Sequence, residues 1–303
     1  MSDTLVLRGV TKAFGNVQAL RGVDFEVGQG EIFGFLGPNG AGKTTTIRIL
    51  TGFIRPGAGE ARVLGFDAWR DSVDIKRRIG FLPDTISFGS GFTGKGFVDY
   101  TARLRGFSSA PPRRRELLDR LQLPQSALER RVKGYSTGMA KKLGLVQAMQ
   151  HGPELLIMDE PTAGLDPLMR QALFDLLREM REAGVTVFMS SHILADVEEI
   201  CERVALIREG RIVSAGTVEG LREGQTRTMV VEFRTPPADG LEIPGAQVIS
   251  REGATWRLAV SGDINDVVRE LGRYDLEDLV YERLGLEELF MGFYAGDEGA
   301  PDA

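Results

Sequence analysis

Short apolar runs alternate with segments whose apolar residues recur every three or four positions over most of the chain. "LVLRGV" and "VDFEV" come first, and the run "EIFGFLG" then leads into "KTTTIRILTG", which is apolar at helical spacing. The succession returns in "LLIMDEP", the helical "PLMRQALFDLLREMREAG", "VTVFMSSH", another helix and "RVALIREGRIV". Unbroken apolar strands are buried on both faces, so this order predicts an α/β unit with a mostly parallel sheet and helices on both of its faces. From about residue 93 to 150 the pattern is helical and broken by prolines, as in "SSAPPRRRELLDRLQLP", without a convincing strand. A helical insertion is expected there, with Arg113–Arg115 as a solvated helix start.

After "LREGQTRT" the texture changes. "MVVEF", "AQVIS", "TWRLAV", a helix from about Asp263 to Leu271, "DLVYER" and a closing helix "LEELFMGFY" predict a small α+β domain of ferredoxin-like character. The expected division is 1–222 for the larger domain, 227–294 for the smaller, and 295–303 for a small, acidic, disordered tail.

The 303 residues are enough for one large domain and a smaller one, and 42% of them are hydrophobic, so a substantial core can form. Lys and Arg number 37 against 43 Asp and Glu, a net −6, which argues against a nucleic-acid-coating protein. Cys201 is the single cysteine. No internal disulfide is possible, a reducing cytoplasmic setting is expected, and Cys201 itself reads as a small core residue at a helix-to-strand junction. "MSDTLVLRGV" lacks the basic start and apolar stretch of a signal peptide, and no apolar run approaches the roughly 18 residues that span a bilayer. Any work at a membrane is expected to go through a partner.

The chemistry is concentrated in "GPNGAGKT", Gly37 to Thr44, which follows the apolar strand and opens a helix. That is the P-loop pattern in the context it requires. Gly37, Gly40 and Gly42, with Pro38, Asn39 and Ala41 between them, let backbone N–H groups turn inward as an anion nest. The helix N-terminus adds its dipole, Lys43 reaches the β- and γ-phosphates, and the Thr44 hydroxyl binds Mg²⁺, with Thr45 following. A second metal anchor is expected at the end of a neighbouring strand, and "LLIMDEP" supplies Asp159 for Mg²⁺ and Glu160 to polarise the attacking water.

Between these sites lies "GYSTGMAKK", with Ser136, Thr137, Gly138 and Met139. A P-loop, this Ser-x-Gly before a helix, and then "LLIMDEP" resemble the ATP-binding cassette (ABC) ATPases. "AGLDP" (Ala163 to Pro167) resembles that family's D-loop, "SSH" places His192 as its switch histidine, and "KAFG" places Phe14 where an aromatic ring stacks on adenine. The resemblance covers about residues 4 to 220. It implies a RecA-like P-loop NTPase core with a helical subdomain, binding ATP and Mg²⁺. It also implies a head-to-tail dimer, of identical or paralogous subunits, in which Ser136, Gly138 and Met139 complete the opposing nucleotide site. The signature departs from the commoner Ser-Gly-Gly-Gln at Thr137 and Met139.

"IGFLPD" falls at the family's Q-loop, and Asp84 stands where Gln or Glu is usual. An anion beside phosphate is unfavourable unless Mg²⁺ or water lies between, so Asp84 is expected to contact the metal indirectly and to couple nucleotide to a transmembrane partner. "YERLGLEELFMGFY" resembles the ending of the multidrug, lipid and ion exporter branch, with Leu284-Gly285 in place of its Pro-Ser. That implies a separate permease, location at the cytoplasmic face of the membrane, and no nucleic-acid partner. The permease is expected to dock around Gly80 to Phe97, with Phe88 and Phe92 either as its contacts or as buried packing. The competing readings are a soluble ABC ATPase acting on ribosomes or DNA, and an importer subunit.

Overall fold

The structure is a computed structural model that describes residues 3–89, 91–223, 227–237 and 243–282. The chain divides into two compact units, Met1–Val218 and Glu219–Ala303. The first opens with two strands, β1 (Asp3–Phe14) and β2 (Val17–Gly28), paired antiparallel. β3 (Ile32–Leu36) follows, buried along its whole length, and leads through the glycine-rich loop into α1 (Lys43–Leu50). The chain returns to the first sheet as β4 (Ala58–Val63) and β5 (Phe66–Asp67), giving the order β2-β1-β4-β5. α2 (Ser72–Arg78) and β6 (Ile79–Leu82) come next. The helical stretch that follows holds α3 (Gly94–Leu104), α4 (Arg114–Arg120), α5 (Gln125–Glu129) and α6 (Thr137–Met149). β7 (Leu155–Asp159), α7 (Pro167–Glu182), β8 (Thr186–Ser191), α8 (Leu194–Ile200), β9 (Arg203–Arg208) and β10 (Arg211–Thr217) complete the unit. A short α9 (Val218–Glu223) lies at the division between units.

The second sheet has the order β10-β9-β3-β8-β7-β6. β9, β3, β8, β7 and β6 run parallel, and only the β9–β10 hairpin is antiparallel. Helices lie on both faces as expected, α1 on one and α8 on the other, but on one face they share the cover with a second sheet. One face carries α1 and the antiparallel sheet, joined in a single apolar cluster that includes Leu7, Val23, Phe25, Phe33, Phe35, Ile47, Ile157 and Phe188. Phe25 of β2 stacks on Phe33 of β3 and Phe188 of β8 at 5.6 and 5.8 Å between ring centroids. Each such buried ring stabilises by about 2 kcal/mol. The physical reason is legible afterwards: "VDFEV" alternates, and a strand with one apolar side needs a second layer to bury it. On the opposite face α8 comes so close to β3 that a Cβ on Gly34 would lie 2.8 Å from Val197 and 3.0 Å from the Cys201 sulfur. Cys201 is buried there as the small core residue expected of it, and burial pushes its thiol pKa up.

Residues 94–149 hold helices and no strand, with one isolated bridge, Thr93 to Arg131, just outside α3. Arg114 is not the solvated residue expected. It is only 7% exposed, pairs with Asp99, and donates to Gln150 Oε1 at 2.7 Å and to the Val98 carbonyl at 3.0 Å. A planar five-donor guanidinium can be buried when its donors all find acceptors, and here it joins α4 to α3 and to the end of α6. Arg115 remains exposed.

The second unit holds β11 (Arg227–Phe233), β12 (Ala246–Glu252), β13 (Thr255–Val260), α10 (Ile264–Leu271) and β14 (Leu276–Glu282). Its sheet is antiparallel in the order β12-β13-β11-β14, which is the strand order of a ferredoxin-like sandwich. Met229, Val231 and Phe233 of β11 pack with Trp256, Leu258, Val267 and Leu271 as a separate core. Asp263 caps α10 through the Asn265 amide. The closing helix and acidic tail expected from the sequence lie outside the described residues.

Candidate active site

β3, β8 and β7 end side by side, with Leu36 opposite Ser191 and Asp159 opposite Ser190. The crevice beyond the carboxyl ends of parallel strands is where such folds bind ligands. Each strand delivers one part of a site there. β3 runs into the loop 37–42, β7 ends in Asp159 followed by Glu160, and β8 is followed by His192.

The loop glycines have distinct jobs. A Cβ on Gly37 would stand 2.3 Å from the Ile207 carbonyl oxygen, so Gly37 is needed for packing on β9. Gly42 has φ 114°, and a Cβ there would lie 2.7 Å from Leu20 and 3.0 Å from the Ala19 carbonyl. No L side chain suits that position. Gly42 is also the N-cap of α1 and supplies no capping side chain. The first-turn amides of α1 therefore remain open to an anion. A cavity of about 180 Å³ lies over them, lined by Ala19, Pro38, Asn39, Gly40, Gly42, Lys43, Thr44, Thr45, Asp84, Asp159 and Glu160. Ala41 points away, and its carbonyl accepts from Gly210 N at 2.9 Å.

The side chains at the cavity floor form one connected network. Lys43 donates to the Gly37 and Pro38 carbonyls at 2.5 and 3.3 Å and lies 3.2 Å from Glu160 Oε1. Thr44 donates to Asp159 Oδ2 at 2.9 Å, and Ser190 donates to Asp159 Oδ1 at 2.5 Å. The Ser190 hydroxyl in turn accepts from Glu160 N at 3.1 Å. His192 Nδ1 is 2.8 Å from Glu160 Oε2. Glu160 Oε1 is buried yet accepts no hydrogen bond, because the Lys43 contact lacks the geometry for one. Ser190 escaped the sequence reading, and only its adjacency in "SSH" could have signalled it. Lys141 of α6 escaped as well. It is 3% exposed, and its ammonium lies 3.4 Å from the Asp84 carbonyl and 3.5 Å from that of Asp159. Burial pushes its pKa below the usual lysine value, against the pull of Asp84, Asp159 and Glu160.

The donor set suits Mg²⁺. A hydroxyl and a carboxylate converge at Thr44 and Asp159, and this hard ion takes few protein ligands and fills its shell with phosphate and water. Among the described residues no three His, Cys, Asp or Glu side chains converge, so no all-protein cage competes with that arrangement.

Other expected residues stand apart. Phe14, 47% exposed at the end of β1, has its ring 5.4 Å from Lys12 Nζ and does not line the 180 Å³ cavity. Ser136 caps α6, accepting from Met139 N at 3.2 Å, with Gly138 in the same first turn. Ser136 and Thr137 border a different cavity of about 450 Å³, together with Ala163 and Gly164 of the "AGLDP" loop. Asp84 borders both cavities. A third concavity of about 570 Å³ is lined by Phe53, Val73, Phe81, Pro83, Phe97 and Leu104 among others. Phe88 and Phe92 are not among them and pack against Phe97 instead, at 4.8 and 6.3 Å between centroids.

Residues 20–163 match the ABC transporter family. The chain is 35% identical over 282 residues to an uncharacterized ABC transporter ATP-binding protein of Nostoc sp., covering 91% of this chain and 83% of that protein. It is 31% identical to the daunorubicin resistance ATP-binding protein DrrA3 of Streptomyces coeruleorubidus over the full length of both. It is 35% identical to the Nod factor export ATP-binding protein I of Paraburkholderia xenovorans, over 80% of each. Among solved structures, an ATP binding subunit of an ABC transporter superposes with TM-score 0.67 at 29% identity, covering 73% of this chain and 92% of that one. The dimeric cassette MJ0796 shares the fold with TM-score 0.65 at 21% identity, over 70% of this chain and 98% of that one. The P-loop, the carboxylates ending β7, the histidine beyond β8 and these matches agree: the chain belongs to the ABC transporter family, as one of its ATP-binding subunits.

Proposed function

We propose that this chain is the ATPase of an ABC exporter, pairing head to tail around two ATP molecules and driving a separate membrane permease. The observation that carries the catalytic part is Glu160. One of its oxygens is fixed by His192 at 2.8 Å, and the other is buried without a hydrogen bond, beside Lys43. An acceptor held this way is placed to take a hydrogen bond from a water attacking the γ-phosphate. Lys43, now on its own loop carbonyls, exchanges them for phosphate oxygens, and the open amides of α1 bind the remainder of the triphosphate. Thr44 and Asp159 would hold Mg²⁺, with Asp84 acting on it indirectly, and the ion would supply neutralisation of the phosphate charge. Phe14 is the platform for adenine.

Ser136, Gly138 and Met139 lie off this cavity, as groups that complete a second chain's site must. The dimeric relative of like fold supports that arrangement. Export is supported by the relatives named for drug resistance and Nod factor export. Among the described residues no helix is long and apolar enough to cross a membrane, so the membrane path belongs to a partner in this reading. Its cytoplasmic element seats in the 570 Å³ groove, where Phe53 and Leu104 are 56% and 67% exposed. The subunit thus works at the cytoplasmic face of the membrane, and the second unit regulates it or supports the dimer.

Glu160→Gln tests the core of this reading. It keeps the shape and the His192 contact but is a far weaker acceptor for the water proton. Hydrolysis is expected to fall by about 10²–10⁴-fold with ATP still bound. The variant should elute as a dimer in ATP and a monomer without it. Undiminished hydrolysis would remove Glu160 from the reaction, and an ATP-bound monomer would remove the sandwich.

A further inference from the structure

Lys141 has no place in the network that contacts the triphosphate, yet it is one of the most deeply buried cations of the chain. It sits on α6, one turn beyond the Ser136 cap, where that helix meets the segment after β6. The approach there is close: a Cβ on Gly144 would stand 2.2 Å from Ile86 and 2.8 Å from Leu82. A buried ammonium is unfavourable unless anions surround it. Its two hydrogen bonds, 3.4 Å to the Asp84 carbonyl and 3.5 Å to the Asp159 carbonyl, are at the long end. The Asp84, Asp159 and Glu160 carboxylates favour its charge, against the larger effect of burial.

Those carboxylates also pose a problem for the cavity. Lys43 pairs with Glu160, and Thr44 and Ser190 bond Asp159, but among the described residues no side chain within ion-pair distance neutralises Asp84. Asp84 nevertheless lines the cavity that the triphosphate would enter. Lys141 approaches that residue from behind, its ammonium 3.4 Å from the Asp84 carbonyl.

We propose that Lys141 is an electrostatic positioning residue, which offsets the Asp84 carboxylate and holds its loop against the end of β7 so that an aspartate can stand beside the triphosphate. The inference rests on the reading of this cavity as the ATP site. It also gives α6 two ends with different duties. Ser136 and Gly138 face outward at its start, while Lys141 fastens the same rigid helix to its own chain's nucleotide cavity.

The test is equilibrium binding of ATP to the full-length chain, in EDTA and in Mg²⁺, for Lys141→Met, Asp84→Asn and the double variant. Methionine keeps the length and shape of lysine and removes the charge. Without Mg²⁺, Lys141→Met is expected to weaken ATP binding by about tenfold, because Asp84 is left unbalanced. In the Asp84→Asn background the same substitution should cost less than about threefold, and Lys141→Arg should bind nearly as wild type. A change within twofold for Lys141→Met, or an equal loss with and without the Asp84 carboxylate, overturns the proposal. Should Lys141→Met melt too low to bind, Lys141→Gln takes its place in both backgrounds, with a loss of about tenfold beside Asp84 and of less than about threefold beside the asparagine expected, and equal losses overturning the proposal. A wild-type chain that binds no ATP would instead overturn the nucleotide reading beneath it.

Discussion

Glu160 has φ 49°, a left-handed conformation that costs a non-glycine residue about 1–2 kcal/mol. The structure holds it there through its N–H on Ser190 and its carboxylate on His192, so the turn after β7 is aimed rather than merely allowed. His151, the other histidine, works in the opposite sense. Its Nε2 meets the Ile79 carbonyl at 3.1 Å, its Nδ1 is buried without a partner, and burial, aided by Arg105, lowers its pKa from 6.5 to about 4. The folded chain therefore keeps this ring neutral. Above about pH 6.5 neither state binds the proton and the stability is complete. As pH falls from there towards 4 the unfolded chain binds it first, and stability drops by up to about 3 kcal/mol. Denaturant midpoints between pH 7.5 and 4 should show this slope, and His151→Gln should remove that part of it. Equal slopes for both proteins would assign the pH dependence elsewhere.

Among the elements, α4 shows how little a charge run says about its own burial. Arg113 to Arg115 look alike in sequence, yet Arg114 alone faces Asp99, Gln150 and the Val98 carbonyl. Arg114→Ala leaves these acceptors without their donor and is expected to destabilise the first unit by about 3 kcal/mol. Arg115→Ala, on the exposed side, should stay within about 0.5 kcal/mol. Chemical denaturation of the two variants separates the outcomes, and equal effects would return the stretch to a solvated helix start. α7 is the contrasting case, because its pattern alone was sufficient. Asp166 caps it, Pro167 begins it, and Met169, Leu173, Phe174, Leu177 and Met180 fall on the buried face. The aromatic stretch before α3 shows a different limit. Phe88 and Phe92 turn onto Phe97, and it is Phe97, with Phe53 and Phe81 from other elements, that lines the groove. Which ring of a cluster faces outward depends on neighbours distant in sequence.

For the whole molecule, the division at Val218 separates two cores that share no apolar cluster among the described residues. All the groups around the P-loop cavity belong to the first unit. A chain ending at residue 218 should therefore bind ATP within about twofold of the full chain, and saturating ATP should still raise its melting temperature. If the second unit supports the dimer, the truncated chain carrying Glu160→Gln should need a higher protein concentration to dimerise in ATP. Unchanged assembly would leave that unit without a part in it, and lost ATP binding would mean that the first unit is incomplete alone.

What the sequence determined by itself was the chemistry and its order along the chain. Lys43, Thr44, Asp159 and Glu160 were legible because each depends on a local rule: a strand must end, a glycine loop must turn, or a polar residue must follow an apolar run. His192 was legible only through its place in the ordered motifs of the family resemblance. The tertiary structure decided everything that needs two distant segments at once. It set the antiparallel sheet over β3, because a half-apolar strand records that it needs a cover but not which one. It packed Gly37 against β9, and it joined Ser190 to Asp159 and Glu160 through neighbouring parallel strands. It also carried Lys141 behind Asp84, 57 residues away in the chain. Charges act through space over several ångströms, and spacing along a chain does not measure that distance.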